Sequence, residues 1–132
     1  MFSFEYTHSS YSRMIEDLAA RLHVRLKDNW LFLPEEYASG YYRVLQLPNG
    51  LDVSIINCKM NKDWFIHRKG DEEEYYTLRF DELTVEKDIT IGIDTDVVGR
   101  KKETVAVAYL TSSLFDWYYL GTKGTLFKGV NI

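Results

Sequence analysis

The side chains that could do chemistry here are few and scattered. The chain holds three histidines, one cysteine, 20 acidic and 16 basic residues. His8, His23 and His67 stand far apart, and none shares a short motif with a carboxylate and a second histidine. A metal site usually draws three or four ligands from His, Cys, Asp and Glu. No metal is therefore expected; His67 with Glu74 or Glu82 is the one set that strand pairing would have to assemble. Nucleophilic catalysis has as little to work with. Cys58 ends the strand-like run Ser54-Ile55-Ile56-Asn57-Cys58, where a lone cysteine reads as a small core residue. A Cys58–His67 thiol–imidazole pair is the alternative. Ser9 and Ser10 beside His8 read as a helix cap, and no Gly-x-Ser-x-Gly elbow occurs. Gly121-Thr122-Lys123-Gly124-Thr125 lacks the spacing and following helix of a phosphate loop and reads as a turn. The acidic run Asp71-Glu72-Glu73-Glu74 reads as a solvated hairpin tip, where no burial raises a carboxyl pKa for acid–base work.

Binding is what remains. Ten Tyr, seven Phe and three Trp make up 15% of the chain, more than a core alone requires. Tyrosine and tryptophan combine an apolar body with a polar tip, which suits a pocket for an amphipathic organic ligand. Arg43 and Arg79 lie inside strand-like runs with apolar neighbours. Each reaches solvent or points inward, and an inward arginine needs a partner such as a ligand carboxylate or phosphate. The net charge of −4 and isoelectric point near 5.4 weigh against this chain holding nucleic acid by itself. Its one basic cluster, Arg100-Lys101-Lys102, reads as a solvated turn.

The elements that must position these residues follow from hydrophobic period. From about residue 9 to 22, Tyr11, Met14, Ile15, Leu18 and Leu22 fall on one helical face. The period then becomes two. Val24 and Leu26 alternate with Arg25 and Lys27, and Asp28-Asn29 turns the chain into Trp30–Leu33. Pro34-Glu35-Glu36, Ser39-Gly40 and Pro48-Asn49-Gly50 read as turns around a strand at 41–47 and its return at 51–60. Residues 64–69 and 75–82 are expected to form a second hairpin about Gly70-Asp71-Glu72. A further strand is expected at 87–93 and a polar loop at 94–100. Thr104–Leu110, rich in Val and Ala, reads as a strand buried on both faces. Residues 112–120 are helix or strand. Many short strands in one domain of 132 residues predict an all-β sandwich or small barrel, with its interior as the place for a ligand.

The phrases Gly40-Tyr41-Tyr42-Arg43-Val44-Leu45-Gln46-Leu47-Pro48-Asn49-Gly50-Leu51, Tyr75-Tyr76-Thr77-Leu78-Arg79-Phe80-Asp81-Glu82 and Leu110-Thr111-Ser112-Ser113-Leu114-Phe115-Asp116, after an amphipathic helix and Leu33-Pro34, form a recognisable order. The chain resembles the N-terminal, cupin-like sensing domain of AraC/XylS-type bacterial transcription regulators. That resemblance implies a mainly β, jelly-roll barrel (a double-stranded β-helix) over about 23–132, preceded by the helix. It implies a small organic effector in the barrel and a homodimer in the full-length protein. DNA would be bound only through a C-terminal helix-turn-helix domain missing from residues 1–132; the stop at Asn131-Ile132 directly after an apolar, glycine-marked segment reads as a domain cut from something longer. Candidate ligand-binding residues on strand positions are Arg43, Trp64, His67, Tyr76 and Arg79, with Trp64 as a stacking wall. Replacing Arg43 or Arg79 by alanine is expected to weaken binding and leave the melting temperature nearly unchanged. No catalytic residue, cofactor or metal is expected. The alternatives are a metal-free cupin isomerase or epimerase using His67 with Tyr76, and a ligand-free dimerisation module. The chain shows neither a secretory signal nor an apolar run of membrane-spanning length, which makes the cytoplasm the expected location.

Overall fold

The computed structural model describes residues 1–7, 10–90 and 97–132, and all their side chains except those of 86–90 and 97–102. The elements in chain order are β1 (Phe2–Thr7), α1 (Tyr11–Leu22), β2 (Trp30–Phe32), β3 (Ala38–Gln46), β4 (Asp52–Met60), β5 (Trp64–Lys69), β6 (Tyr76–Thr90), β7 (Val97–Ser112), β8 (Trp117–Gly121) and β9 (Leu126–Asn131). The protein is mainly β, with two sheets and one helix among the described residues. The smaller sheet has the order β1-β5-β8 and the larger β2-β3-β4-β9-β6-β7. Neither closes on itself, an arrangement compatible with the sandwich form of the expectation. No described helix is long and apolar enough to cross a membrane.

Helix α1 forms as its period predicts. Ser10 caps it, its Oγ accepting the Arg13 N–H at 3.1 Å. His23 ends it in the left-handed conformation, its N–H donating to the Ala19 and Ala20 carbonyls. His23 is thus a cap residue, while His8 and Ser9 lie outside the described residues. Tyr11, Met14, Ile15, Leu18, Ala19 and Leu22 are buried. The helix packs against β1 of the smaller sheet and β3 and β4 of the larger, so it spans both.

Strand alternation fixes the inner faces. Phe2 and Phe4 of β1, Leu31 of β2, Val44 of β3, Cys58 and Met60 of β4, Trp64 of β5 and Phe127 of β9 converge on one core with the helix. Several local expectations change. Residues 24–26 form no strand; Asp28 and Asn29, at φ 49° and 64°, close a tight turn between Lys27 and Trp30. Ser39-Gly40 lies inside β3 and makes no turn. Gly40 has φ 139°, and a Cβ there would collide with the Asn57 carbonyl oxygen on β4. β5 and β6 are no hairpin, because they belong to different sheets. Their link is anchored by Ser113, 1% exposed. Ser113 Oγ accepts from Tyr75 N at 2.6 Å and donates to the Glu73 carbonyl at 2.7 Å, and its carbonyl accepts from Asp71 N at 2.9 Å. Glu72, Glu73 and Glu74 on this link are exposed, as their charge demands.

Residues 87–90 continue β6, and Arg100-Lys101-Lys102 lies within β7 rather than in a turn. Residues 91–96, which include part of the expected strand and loop, lie outside the described residues. Thr104–Leu110 is not doubly buried: Val105 is 56% exposed and Leu110 63%. The reason is topological, since β7 is the edge of the larger sheet and pairs with β6 alone. Residues 117–121 resolve to strand β8.

Candidate functional site: an interior cavity with a charged end

The inner faces and the helix enclose a cavity of about 70 Å³. Met14 and Leu18 of α1, Met60 of β4, Trp64 of β5 and Phe127 of β9 make most of its wall apolar. Its other end is polar because of β6. Along that strand Thr77, Arg79 and Asp81 point inward and are buried, while Tyr76, Leu78 and Phe80 face out. Arg79, 6% exposed, lays its guanidinium 4.0 Å from the Trp117 ring centroid. Its Nε donates a long bond of 3.5 Å to Asp81 Oδ2, which also accepts the Tyr109 hydroxyl at 3.0 Å. Among the described residues the Nη edge of Arg79 has no hydrogen-bond partner.

Two acceptors nearby also lack a donor. Asp81 Oδ1 and Asn131 Oδ1 are buried with no partner among the described residues. Asn131, opposite Arg79 in register, donates from Nδ2 to Ser54 Oγ at 3.1 Å, and the Tyr42 hydroxyl donates to the same oxygen at 3.3 Å. Gly129 stands opposite Asp81, and a Cβ there would lie 2.8 Å from Asp81 Oδ1. The glycine leaves the space that the carboxylate occupies.

A second guanidinium is buried close by. Arg68, 2% exposed, donates from Nη2 to the Ser112 carbonyl at 2.9 Å and from Nη1 to Thr111 Oγ1 at 3.3 Å. These bonds join β5 of one sheet to β7 of the other. Its Nε has no partner, and burial draws its pKa down. Arginine nonetheless stays charged in proteins. Among the described residues the buried side chains therefore carry two guanidinium charges against the single carboxylate of Asp81. Burial also pushes the pKa values of Tyr6 and Tyr42 up, so both hydroxyls stay protonated. It pushes the Cys58 thiol up to about 12, far from the thiolate that a nucleophile needs.

The five candidate residues divide by strand parity. Trp64 and Arg79 line the cavity; the Trp64 indole N–H donates to the Tyr37 carbonyl at 3.0 Å and its ring packs 4.5 Å from that of Phe2. Tyr76, three residues before Arg79, is on the opposite face and 64% exposed. His67, three residues after Trp64, lies on the outer face of the smaller sheet. There Nδ1 contacts Glu5 Oε2 and Nε2 contacts Asp116 Oδ2, each at 2.9 Å, while the ring stacks on Tyr118 at 4.4 Å. These carboxylates, Asp116 foremost, raise the His67 pKa. Arg43 is on the outer face of the larger sheet, 4.5 Å over the Trp30 ring. The cavity is thus not where Arg43, His67 and Tyr76 converge, and His67 reaches neither Cys58 nor Glu74. Among the described residues no group of three or more His, Cys, Asp or Glu could hold a metal. Asn131, Tyr42 and Trp117 line the cavity, and Asp81 holds Arg79 from behind it, none of them having been singled out from the sequence. Period two held the signal for Asp81, because an inward Arg79 forces residue 81 inward too.

Comparison with protein-family models, with curated proteins and with solved structures gives no match.

Proposed function

We propose that this chain is the effector-sensing and dimerisation domain of an AraC/XylS-type transcription regulator, built on a cupin-like jelly roll and acting in the cytoplasm. DNA is contacted by a C-terminal helix-turn-helix domain outside this sequence. The observation that carries the reading is the enclosed cavity whose polar end presents the unengaged edge of Arg79. A guanidinium edge that faces the cavity without a protein acceptor is open to a guest that can accept its hydrogen bonds. Helix α1 and β1 contribute Met14, Leu18, Phe4 and Tyr6 to the lining, so a guest touches the N-terminal elements directly. It then acts by population shift, favouring the arrangement of those elements that holds it best. At about 70 Å³ the cavity is well below the 300–1,000 Å³ usual for drug-sized ligands, so the effector is small. Sensing fits the lining better than isomerase chemistry, since the described lining contains no histidine and Tyr76 lies outside it.

The partner in the dimer is a second copy, seated on the outer face of the larger sheet. Leu78, Phe80, Leu110, Val130 and Ile132 are exposed neighbours there, with Tyr76 at one end and Glu82 paired with Lys128 at the other. With Tyr76 included, their exposed fractions amount to roughly 500 Å² at about 180 Å² for a full large side chain. Two such patches bury about 1,000 Å², the lower bound for a specific interface. A thermal-shift screen of small metabolites tests sensing: a specific rise in the unfolding midpoint is expected, since a ligand of the native state must stabilise it. A flat response across the screen contradicts it and favours the ligand-free dimerisation module.

A further inference from the structure

The lining of the cavity specifies more than the presence of a guest. We infer that it takes a small planar oxyanion, formate or nitrite, with its two oxygens on the free Nη edge of Arg79 and one of them also accepting the Tyr6 hydroxyl. This rests on the sensing role proposed above and adds the chemical class of the guest.

Three observations carry it. The first is charge. Arg79 brings the one formal charge to the described lining, which holds no Asp, Glu, Lys or His. Asp81 stands behind it, reaches only its Nε through the long 3.5 Å bond, and shares that oxygen with the Tyr109 hydroxyl. Arg68 lies outside the lining, yet the Arg79 charge is felt there. A monoanion balances two guanidinium groups and one carboxylate; a cation or a neutral guest leaves the excess positive charge in a low-dielectric interior.

The second is the pair of donors. Arg79 is 6% exposed, and its Nη edge has no hydrogen-bond partner among the described residues. Such an edge holds two neighbouring oxygens through parallel N–H···O bonds. Tyr6 follows Phe2 and Phe4 on the inner face of β1 and lines the cavity. Its hydroxyl also lacks a hydrogen-bond partner among the described residues, and burial keeps it protonated, so it donates. The Arg79 charge reaches that hydroxyl, so the two donors serve the same end of the cavity. Neither is sealed off as Asp81 Oδ1 and Asn131 Oδ1 are, so both keep open surface for a guest.

The third is size. A 150 Å³ apolar cavity admits benzene, so about 70 Å³ admits roughly three heavy atoms. Formate and nitrite match that count. The remaining wall, with Phe4, Leu18, Met60 and Phe127, is apolar and offers nothing to a further polar group.

The experiment titrates the unaltered chain with formate, nitrite, the neutral isostere formamide, and the larger acids acetate and propionate. Ionic strength is held constant with sodium sulfate, whose anion is too large to enter. Affinity is read from the Trp117 indole N–H resonance and from the unfolding midpoint. The best ligand efficiencies limit three heavy atoms to a Kd of about 0.5 mM or weaker, so titration to about 50 mM reaches saturation. Formate or nitrite should bind in the low millimolar range and raise the midpoint by several degrees. Formamide should bind at least tenfold more weakly, as for loss of a charge-assisted hydrogen bond, and acetate and propionate more weakly in turn. Tyr6→Phe should weaken the anion several-fold, and Arg79→Gln should abolish its advantage over formamide. Binding of one of the two anions alone supports the inference and identifies the guest. Formamide binding as well as formate would overturn the anionic class, and propionate binding as well as formate would overturn the size class; both leave a sensing cavity intact. An unchanged affinity in Tyr6→Phe would overturn the hydroxyl assignment. No response to formate or nitrite would overturn the inference, while the wider metabolite screen judges sensing independently. If Arg79→Gln fails to fold, the isosteres and Tyr6→Phe decide.

Discussion

The buried Arg79–Asp81 pair makes a sharp prediction about stability. Alanine at Arg43 or Arg79 had seemed equivalent from strand position, with little effect on melting. Burial separates them. Replacing Arg79 by Met fills a similar volume but leaves the Asp81 carboxylate, 7% exposed, with the Tyr109 hydroxyl as its remaining donor. Breaking one side of a buried pair costs about 3–5 kcal/mol. For 132 residues at about 2.1 cal/mol/K each, the unfolding entropy is roughly 0.28 kcal/mol/K, so the midpoint should fall by about 10–18 °C. Arg43→Ala removes a surface contact over Trp30 worth about 0.5–1 kcal/mol, a fall of roughly 2–4 °C. The double variant Arg79→Met/Asp81→Asn removes both charges and should recover most of the loss, because uncharged replacements of a buried pair are often nearly neutral. Calorimetry on these three variants, on Asp81→Asn and on the parent completes the cycle. Equal losses at Arg43 and Arg79, or a double variant no more stable than Arg79→Met, would refute the reasoning.

Other expectations follow from single sites. His67, raised by Asp116 and Glu5, contributes stability that is complete below its unfolded pKa of about 6.5 and lost as pH rises through the higher folded value. Urea midpoints should therefore decline from pH 6 to pH 9, and His67→Gln should flatten that limb; an unchanged slope would contradict it. Ser113→Ala strands the Tyr75 N–H and the Glu73 carbonyl, and should cost about 2–4 kcal/mol in urea titration. A loss under 0.5 kcal/mol would show that the link between the sheets does not depend on it. Leu110→Lys should shift the proposed dimer toward monomer in sedimentation, and an unmoved equilibrium would remove the outer face from the interface.

The parts of the fold legible from sequence were those whose signals are local. The α1 face, the Ser10 cap and the Asn49-Gly50 turn needed only residues within a few positions of one another. What was not legible depended on partners far along the chain. Nothing near Gly70 says that β5 and β6 belong to different sheets; Ser113, more than forty residues on, decides it. Gly40 looked like a turn because its real neighbour, the backbone of β4, is distant in sequence. On β6 the usual assumption of apolar-in is inverted, with Thr77, Arg79 and Asp81 inside and Leu78 and Phe80 outside. That inversion is why Arg79 could be singled out and Asp81 overlooked. Strict parity would have separated Arg79 from Tyr76 and Trp64 from His67, since odd spacing on one strand always means opposite faces.

The three tryptophans allow the central claim to be tested in one spectrum. Trp64 and Trp117 line the cavity, while Trp30 lies on the outer face beneath Arg43. In a titration with the small metabolite that most raises the unfolding midpoint, followed by indole N–H resonances, Trp64 and Trp117 should move together and saturate, with Trp30 unchanged. Saturable movement of Trp30 alone, or no movement of the Trp117 signal beside Arg79, would contradict a guest held within the sheets.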